Sequence, residues 1–335
     1  MVKFFSRKFI GKAVIFLVSI LIIVLILSFA DLKEVYANLR LITYFDILVA
    51  LLIMTTSMLL RVFRWRLILS DEKKVSFVRI TPVYFLGQAI AGFTPGNIGD
   101  PVRSVILKKT EGIPISNSIK SIMAERITDL LAVIFLSLYV LVFYLGGYIG
   151  GVKIGYGILL VLILTMMLLL FSRRCSFFIL NMLARLFRRN EKLSRFIDSF
   201  IESFCNSRMR KRTFLSAMVL ALILWILDGM IFFYIFERLG MNLEAGFVIS
   251  AFALSVIIGL ITFLPGGIGS FEGSFLILLI SAGVEKNTAI AGIFITRFMV
   301  YAYPLILAYI SFLTIRKMTN KTDKTDKTDS DSKFT

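Results

Sequence analysis

The sequence contains no histidine. Imidazole metal ligands, histidine general bases and Ser-His-Asp triads are therefore excluded from its chemistry. Cysteine is nearly as scarce, with Cys175 and Cys205 the two present, both in the most basic part of the chain. They are too far apart for a CxxC metal or redox motif, and the topology argued below places them in a reducing compartment, so they read as free thiols. Acidic residues are also few: 21 Asp and Glu against 38 Lys and Arg give a net charge of +17. The basic residues stand mostly beside apolar runs, so membrane topology accounts for them and no nucleic-acid partner is expected.

What the chain has in quantity is apolar residues in long runs. Of its 335 residues, 58% are hydrophobic, and the mean hydropathy is +0.88. A soluble protein of this size would leave too much apolar surface in water. Residues 13–30, 155–171, 213–227 and 246–271 carry no charge at all. A helix needs about 20 apolar residues to cross the hydrocarbon core. The expected spans are 12–30, 45–64, 118–143, 154–171, 213–236 and 288–315. The basic start of the chain resembles the head of a signal peptide, but its apolar run is too long and lacks a clear small-residue cleavage site, so it reads as an uncleaved first span.

Two further apolar regions, 82–107 and 246–283, are broken by Pro and Gly. Lys and Arg gather on one side of the spans: at 3–12, 64–79, 108–120, 173–212 and beyond Leu313. The opposite side has Lys33, Arg40, Lys153, Arg238 and Lys286. The positive-inside rule then puts both termini in the cytoplasm of a multi-pass cell-membrane protein. Six full spans satisfy that parity if each broken region is re-entrant, the first from the cytoplasm and the second from outside. The alternative reads 247–264 and 271–283 as ordinary spans. A helix broken at membrane depth frees backbone groups that a protein-lined or watered cavity must satisfy.

Two segments lie outside the spans. The loop 173–212 places Leu193, Phe196, Ile197, Phe200, Ile201 and Phe204 at three- and four-residue spacing, an amphipathic helix rich in arginine. It would lie on an anionic inner leaflet or pack against the bundle. Residues 319–335 repeat Thr-Asp-Lys with almost nothing apolar, the composition of a disordered cytoplasmic tail. The folded domain is accordingly 1–318.

The broken regions share a motif. Phe93–Gly99 and Phe263–Gly269 both read F-x-P-G-x-I-G. Asp100 follows the first at once, and Glu272 lies three residues beyond the second. Three expected spans separate the two, and an odd number inverts the second relative to the first. The expected fold is an all-α membrane helix bundle with two inverted repeats, each holding a Pro/Gly-broken helix pair. That architecture is the sequence pointer to a secondary-transporter-like site near the midplane. Pro95 and Pro265 suit the first position of a half-helix, followed by Gly96 and Gly266. Free N–H groups and the positive dipole at such an end attract an anion. The alternative is a tight turn with a purely structural role.

Charges inside the spans complete the candidate site. Glu125, Arg126 and Asp129 form the densest cluster, with Glu125 and Asp129 on one helical face. They serve either pairing between helices or contact with a substrate. Asp228 stands alone in LILWILDGMIFF, where it calls for Arg126 or Arg297 as partner, or for a polar cavity. Arg61, Arg64 and Trp65 end the second span, where snorkelling and topology compete with headgroup binding. Arg103, just past the first Pro-Gly, is a candidate phosphate ligand.

At these residues the chain resembles the transmembrane region of lysylphosphatidylglycerol synthases, a flippase-like family with many stand-alone members. The matching elements are R-x-x-R-W (Arg61, Arg64, Trp65), P-G-N-I-G-D-x-x-R (Pro95–Arg103), E-R-x-x-D (Glu125, Arg126, Asp129) and P-G-G-I-G-x-x-E (Pro265–Glu272). They fall within about residues 10–318. The resemblance implies moving or presenting phospholipid or polyprenyl-phosphate-linked lipids. A polar tail alone follows Leu313, so lipid lysylation is not expected.

Three functions compete on this evidence. A flippase or transporter of anionic lipid would use Arg61, Arg64, Arg103, Arg126 and Arg297 as headgroup contacts. An intramembrane lipid-phosphate enzyme would use Asp100, Glu125, Asp129 and Glu272 as metal ligands or acid/base groups. A non-catalytic subunit would recruit a cytoplasmic partner through 173–212. The transporter is the leading expectation, with membrane lipids as partners, no cofactor or resident metal, and homo-oligomerisation left open.

Overall fold

The structure, a computed structural model, describes residues 28, 30–70, 74–92, 94, 99–143, 174, 178, 181–182, 201, 210–262 and 264–331. The expected span 154–171, most of the span 12–30 and nearly all of the basic loop lie outside the described residues, as do Phe93, Pro95, Gly96 and Phe263. The described elements are helical. They run α1 (Leu32–Leu39), α2 (Tyr44–Leu69), α3 (Phe77–Gly92), α4 (Val102–Glu111), α5 (Ile115–Phe143), α6 (Lys211–Arg238), α7 (Ala245–Ile261), α8 (Ser270–Ser281) and α9 (Lys286–Asp331).

Local sequence sets the helix ends. Thr43 and Asp46 form a reciprocal capping box at the start of α2: Asp46 N–H donates to Thr43 Oγ1, and Asp46 Oδ2 accepts from Thr43 N–H at 2.9 Å. Asp31 caps α1, accepting from Lys33 N–H at 2.8 Å. At about 1.5 Å per residue, the 26 residues of α2 extend about 39 Å. That exceeds the roughly 30 Å hydrocarbon core. Tyr44–Leu69, Lys211–Arg238 and Lys286–Arg316 are long and apolar enough to cross a membrane. The 29-residue α5 is as long, but Lys120, Glu125, Arg126 and Asp129 interrupt it.

Apolar residues face both ways on these helices. On α6, Leu215, Val219, Ile223 and Ile226 form an exposed stripe, while Ala217, Ala221 and Leu224 are buried on the opposite face. A helix apolar all round has its outer face in lipid rather than water. With lipid outside, close packing rather than water exclusion holds the bundle together, and small buried residues let helix backbones approach. Phe232 of α6, Phe252 of α7 and Phe271 and Phe275 of α8 fill the centre, with ring centroids 5.1–5.9 Å apart.

Both broken regions are broken. The first divides into α3 and α4, the second into α7 and α8. Neither α3, with 16 residues, nor α8, with 12, reaches the length of a full crossing. In each half the broken pair leads to a helix bearing an arginine, Arg126 on α5 and Arg297 on α9. The packing is reciprocal: α3 lies along α9, and α7 lies along α5.

The half-helices start later than the Pro-Gly pairs suggest. Pro101, not Pro95, precedes α4, and α8 begins at Ser270, five residues past Pro265. Gly266, Gly267 and Gly269 all take positive φ, which a Cβ would strain, so the second motif is a left-handed turn before it is a helix. Beyond Arg316, α9 continues as helical backbone through the Thr-Asp-Lys tract to Asp331.

Candidate functional site

Arg61, Arg64 and Trp65, spaced i, i+3 and i+4, stand on one side of α2, with Arg64 and Trp65 diverging by about 100°. Arg64 enters the contact with α5. Its Nη1 donates to Asp129 Oδ1 at 2.6 Å, and its Nη2 donates to Asp129 Oδ2 at 3.1 Å and Glu125 Oε1 at 3.3 Å. Glu125 also accepts from Arg103 Nη1 at 2.9 Å and from the Tyr84 hydroxyl at 3.4 Å. Arg64, Arg103 and Glu125 are wholly buried. Ions so placed are tolerable because every charge has a partner; removing one partner of such a pair costs roughly 3–5 kcal/mol.

Arg103 needs two further features to reach this position. Its guanidinium carbon lies 4.8 Å from the ring centroids of both Trp65 and Tyr84. Its stem crosses α3 at Gly87, where a Cβ would lie 1.9 Å from Arg103 Cγ. The buried Trp65 is itself fixed by donation from Nε1 to Ser121 Oγ at 2.9 Å. Trp65 and Arg103 are thus parts of a sealed framework.

Asp100 stands at the edge of the first break. It lies 3.1 Å from Arg103 Nη2 and 2.8 Å from Arg126 Nε, yet neither approach has hydrogen-bond geometry. Charge, not directed bonding, holds it. Asp129 also accepts from Trp225 Nε1 of α6 at 3.1 Å.

Asp228 pairs with Arg61 rather than with Arg126 or Arg297, and it also takes the expected alternative of a place on a polar cavity wall. Those two arginines are engaged elsewhere, Arg126 by Asp100 and Arg297 by Glu272. Ser57 Oγ donates to the other Asp228 oxygen at 2.7 Å.

The second half repeats the theme at its own break. Arg297 Nε donates to Glu272 Oε1 at 2.6 Å, and its Nη2 donates to the Gly266 carbonyl at 3.0 Å. Tyr301 donates to the same carbonyl at 2.7 Å, while Glu272 Oε2 accepts from Gly269 N–H at 2.6 Å, at the head of α8. Backbone groups freed by the break are therefore bonded to side chains of α8 and α9.

A cavity of about 270 Å³ lies between the halves, close to the lower end of small-molecule sites. Its polar wall includes Arg61, Arg126, Arg297, Asp228, Ser57, Gln88 and Tyr301, and its apolar wall includes Met54, Phe232, Phe252, Leu260, Leu264 and Leu305. Gly92, the last residue of α3, and Gly266 both line it and touch: a Cβ on Gly266 would lie 3.0 Å from the Gly92 carbonyl oxygen. Arg61, Arg126, Asp228, Gly266 and Arg297 thus meet in one space. Arg64, Trp65, Arg103, Glu125 and Asp129 sit behind it as a buried support, with Asp100 and Glu272 behind Arg126 and Arg297. Pro265 belongs to the turn beside Gly266 and does not line the cavity. Each of these carboxylates faces a guanidinium, an arrangement that repels rather than collects a metal cation.

Sequence reasoning passed over Gly87, Ser57, Tyr84, Trp225 and Tyr301. One signal was available for two of them: Trp225 lies three residues before Asp228, and Tyr301 four after Arg297, on the same helical faces.

Long helices apolar on their outer faces, with the charges inside the bundle held in ion pairs, define a multi-pass helical integral membrane protein. The family described as lysylphosphatidylglycerol synthase TM region matches residues 13–308, and the chain belongs to that family. The UPF0104 membrane protein of Pyrococcus horikoshii is 26% identical over 328 residues, covering 92% of this chain and 98% of that one. The inner membrane protein YbhN of Escherichia coli is 34% identical over 101 residues, 30% of this chain and 31% of that protein. A phosphatidylglycerol lysyltransferase of Staphylococcus xylosus is 27% identical over 86 residues, 26% of this chain and 10% of that protein.

Proposed function

We propose that this protein carries anionic lipid across the bilayer, as a flippase or transporter of phospholipid or polyprenyl-phosphate-linked lipid. The observation that carries the reading is the cavity between the halves. Arg61, Arg126 and Arg297 contribute three guanidinium groups to its wall against one carboxylate, Asp228. The charges that balance Arg126 and Arg297 lie behind the wall, so the positive ends of the pairs face inward.

Size and polarity suit a headgroup rather than a whole lipid. About 270 Å³ accommodates a phosphate with a small substituent, while acyl or prenyl chains stay in the membrane. The apolar wall supports that division. Leu260 and Leu264 flank the outward-facing Ile261, and Leu305 precedes the outward-facing Ile306. The relative named phosphatidylglycerol lysyltransferase acts, by its name, on an anionic phospholipid. We carry over that lipid class and not lysyl transfer.

The reciprocal packing of α3 on α9 and α7 on α5 supports two inverted repeats, with the touching breaks at Gly92 and Gly266 as their meeting point. Rocking of one half against the other about that contact would open the cavity to each leaflet in turn. In this reading the protein sits in the cell membrane with both termini cytoplasmic, as the Lys/Arg asymmetry requires. The Thr-Asp-Lys tract then forms a cytoplasmic tail outside the transport body.

Reconstitution tests the proposal. Purified protein in liposomes with labelled phosphatidylglycerol in the outer leaflet should speed its inward movement over protein-free liposomes, and more than it speeds neutral phosphatidylcholine. Equal rates with and without protein, for phosphatidylglycerol and for a short-chain polyprenyl phosphate alike, would remove the transport reading.

A further inference from the structure

We propose that the cavity takes up an anionic phosphate headgroup together with one proton, which comes to rest on Asp228. The inference rests on the reading of the cavity as a headgroup site and supplies what that reading lacks, a source of energy.

It begins with charge balance. Arg61, Arg64, Arg103, Arg126 and Arg297 face Asp100, Glu125, Asp129, Asp228 and Glu272, so the buried set is neutral as it stands. An anion entering this low-dielectric space leaves one negative charge uncompensated, which is costly. Protonating a carboxylate restores neutrality. Asp228 is the carboxylate on the cavity wall, and its side chain is 22% exposed, against 6% or less for the other four.

Competition adds a second argument. Arg61 Nη2 is bound to Asp228 Oδ2, so a phosphate oxygen can reach that donor only by displacing the carboxylate. A proton on Asp228 releases Arg61 with its charge intact. The neutral acid keeps a partner, because Ser57 Oγ can donate to a carboxylate oxygen or accept from a carboxylic acid in the same place. The proton arrives from water with the anion and leaves with it.

No other group facing Asp228 is as free to change charge. From α2 it meets Arg61 and Ser57; α5 presents Arg126 and Asp129, the latter held by Arg64 and Trp225. From α3 come Gln88 and Tyr84, and Tyr84 is tied to Glu125. Across the cavity, α9 presents Arg297 and Tyr301, with Glu272 of α8 locked onto Arg297. The helix α7 carries no charged residue.

Calorimetry on the detergent-solubilised full chain tests this. Dihexanoylphosphatidylglycerol is titrated in one arm and inorganic phosphate in another, each in two buffers of different ionisation enthalpy. The expected result is uptake of close to one proton per lipid bound, with affinity rising about tenfold per unit fall in pH while Asp228 starts ionised. Asp228→Asn should bind the lipid without proton uptake and without pH dependence, and Asp228→Glu should restore both. Uptake with phosphate but not with the lipid, lost in Asp228→Asn, would sustain the coupling and reassign the ligand to the free anion, whereas uptake that survives the substitution belongs to the phosphate's own ionisation and overturns it. Wild-type binding without proton uptake, or undiminished uptake in Asp228→Asn, overturns the coupling and leaves the headgroup site standing. Failure of both probes to bind removes the site itself and the coupling with it. The wild-type lipid arm decides the coupling to lipid even if neither variant purifies.

Discussion

Arg103 crosses Gly87 so closely that the smallest possible side chain there would overlap it, with 1.9 Å between the added Cβ and Arg103 Cγ. Gly87→Ala should therefore expel Arg103 from its place between Trp65 and Tyr84 and strand Glu125 with one guanidinium instead of two. A loss of about 3 kcal/mol or more is expected, in line with breaking a buried ion pair. Gly273→Ala is the control, since nothing lies within 4 Å of its added Cβ. Helix propensity alone would make that change neutral or mildly stabilising, by up to about 1 kcal/mol. Thermal melting of the two variants in detergent should separate them clearly.

Burial, not charge type, should decide what an ion pair contributes. Arg64→Ala leaves Asp129 and Glu125 buried with fewer partners and should destabilise by roughly 3–5 kcal/mol. Arg79 pairs with Glu111 at 3.7 Å with its own side chain 64% exposed, so Arg79→Ala should cost no more than about 1 kcal/mol. Denaturation midpoints for both variants, compared in one detergent, check the ratio.

Ligand binding should respond in the opposite order. Arg126 lines the cavity with its side chain 26% exposed, and Asp100 is its nearest charge. Arg126→Gln should weaken binding of short-chain phosphatidylglycerol about tenfold or more, the worth of one charge-assisted hydrogen bond or slightly above. It should shift the melting temperature less than Arg64→Ala does. Equal binding by wild type and Arg126→Gln would take Arg126 out of the site.

Acid should loosen the head of α9. Burial pushes the pKa of the Glu285 carboxyl up, but donation from Asn287 N–H at 2.8 Å and from Thr288 N–H and Oγ1 at 2.7 Å, with Lys286 beside it, holds it below the ordinary carboxylate range. A carboxylate lowered on folding stabilises fully above its unfolded value, about 4.3. That contribution is lost as pH falls through the lower, folded value. Melting curves of wild type and Glu285→Gln should therefore differ at pH 7 and converge near pH 3. The carboxylate is exposed, so the difference should be small.

Much of this architecture is legible in the sequence. The apolar spans expected at 45–64, 213–236 and 288–315 locate α2, α6 and the membrane part of α9 to within about five residues, because little but a span needs so long an apolar stretch. The repeated Pro-Gly motif correctly marks two breaks, since few other sequences force the chain out of helix inside an apolar run. The motif misplaces the half-helix starts, because in Gly266–Gly269 the left-handed turn takes the residues that the proline was expected to lead. Partner choice was the harder problem. Periodicity assigns the faces of a soluble helix, but α2 and α6 are apolar all round, so it could not tell whether Asp228 meets Arg61, Arg126 or Arg297. Gly87 was invisible for a related reason: its importance comes from an arginine 16 residues away that crosses α3 from outside it.

The placement of the charges also orders events during synthesis. Arg64, Asp100, Arg103, Glu125, Arg126 and Asp129 all precede residue 130, so the first half can neutralise itself as soon as α5 is made. Arg61 must wait for a carboxylate 167 residues later. At about 5–20 residues per second, that leaves a lone cation among nascent helices for on the order of ten seconds or more. Until α6 arrives, Arg61 stands in the newborn chain without the carboxylate that neutralises it in the folded protein.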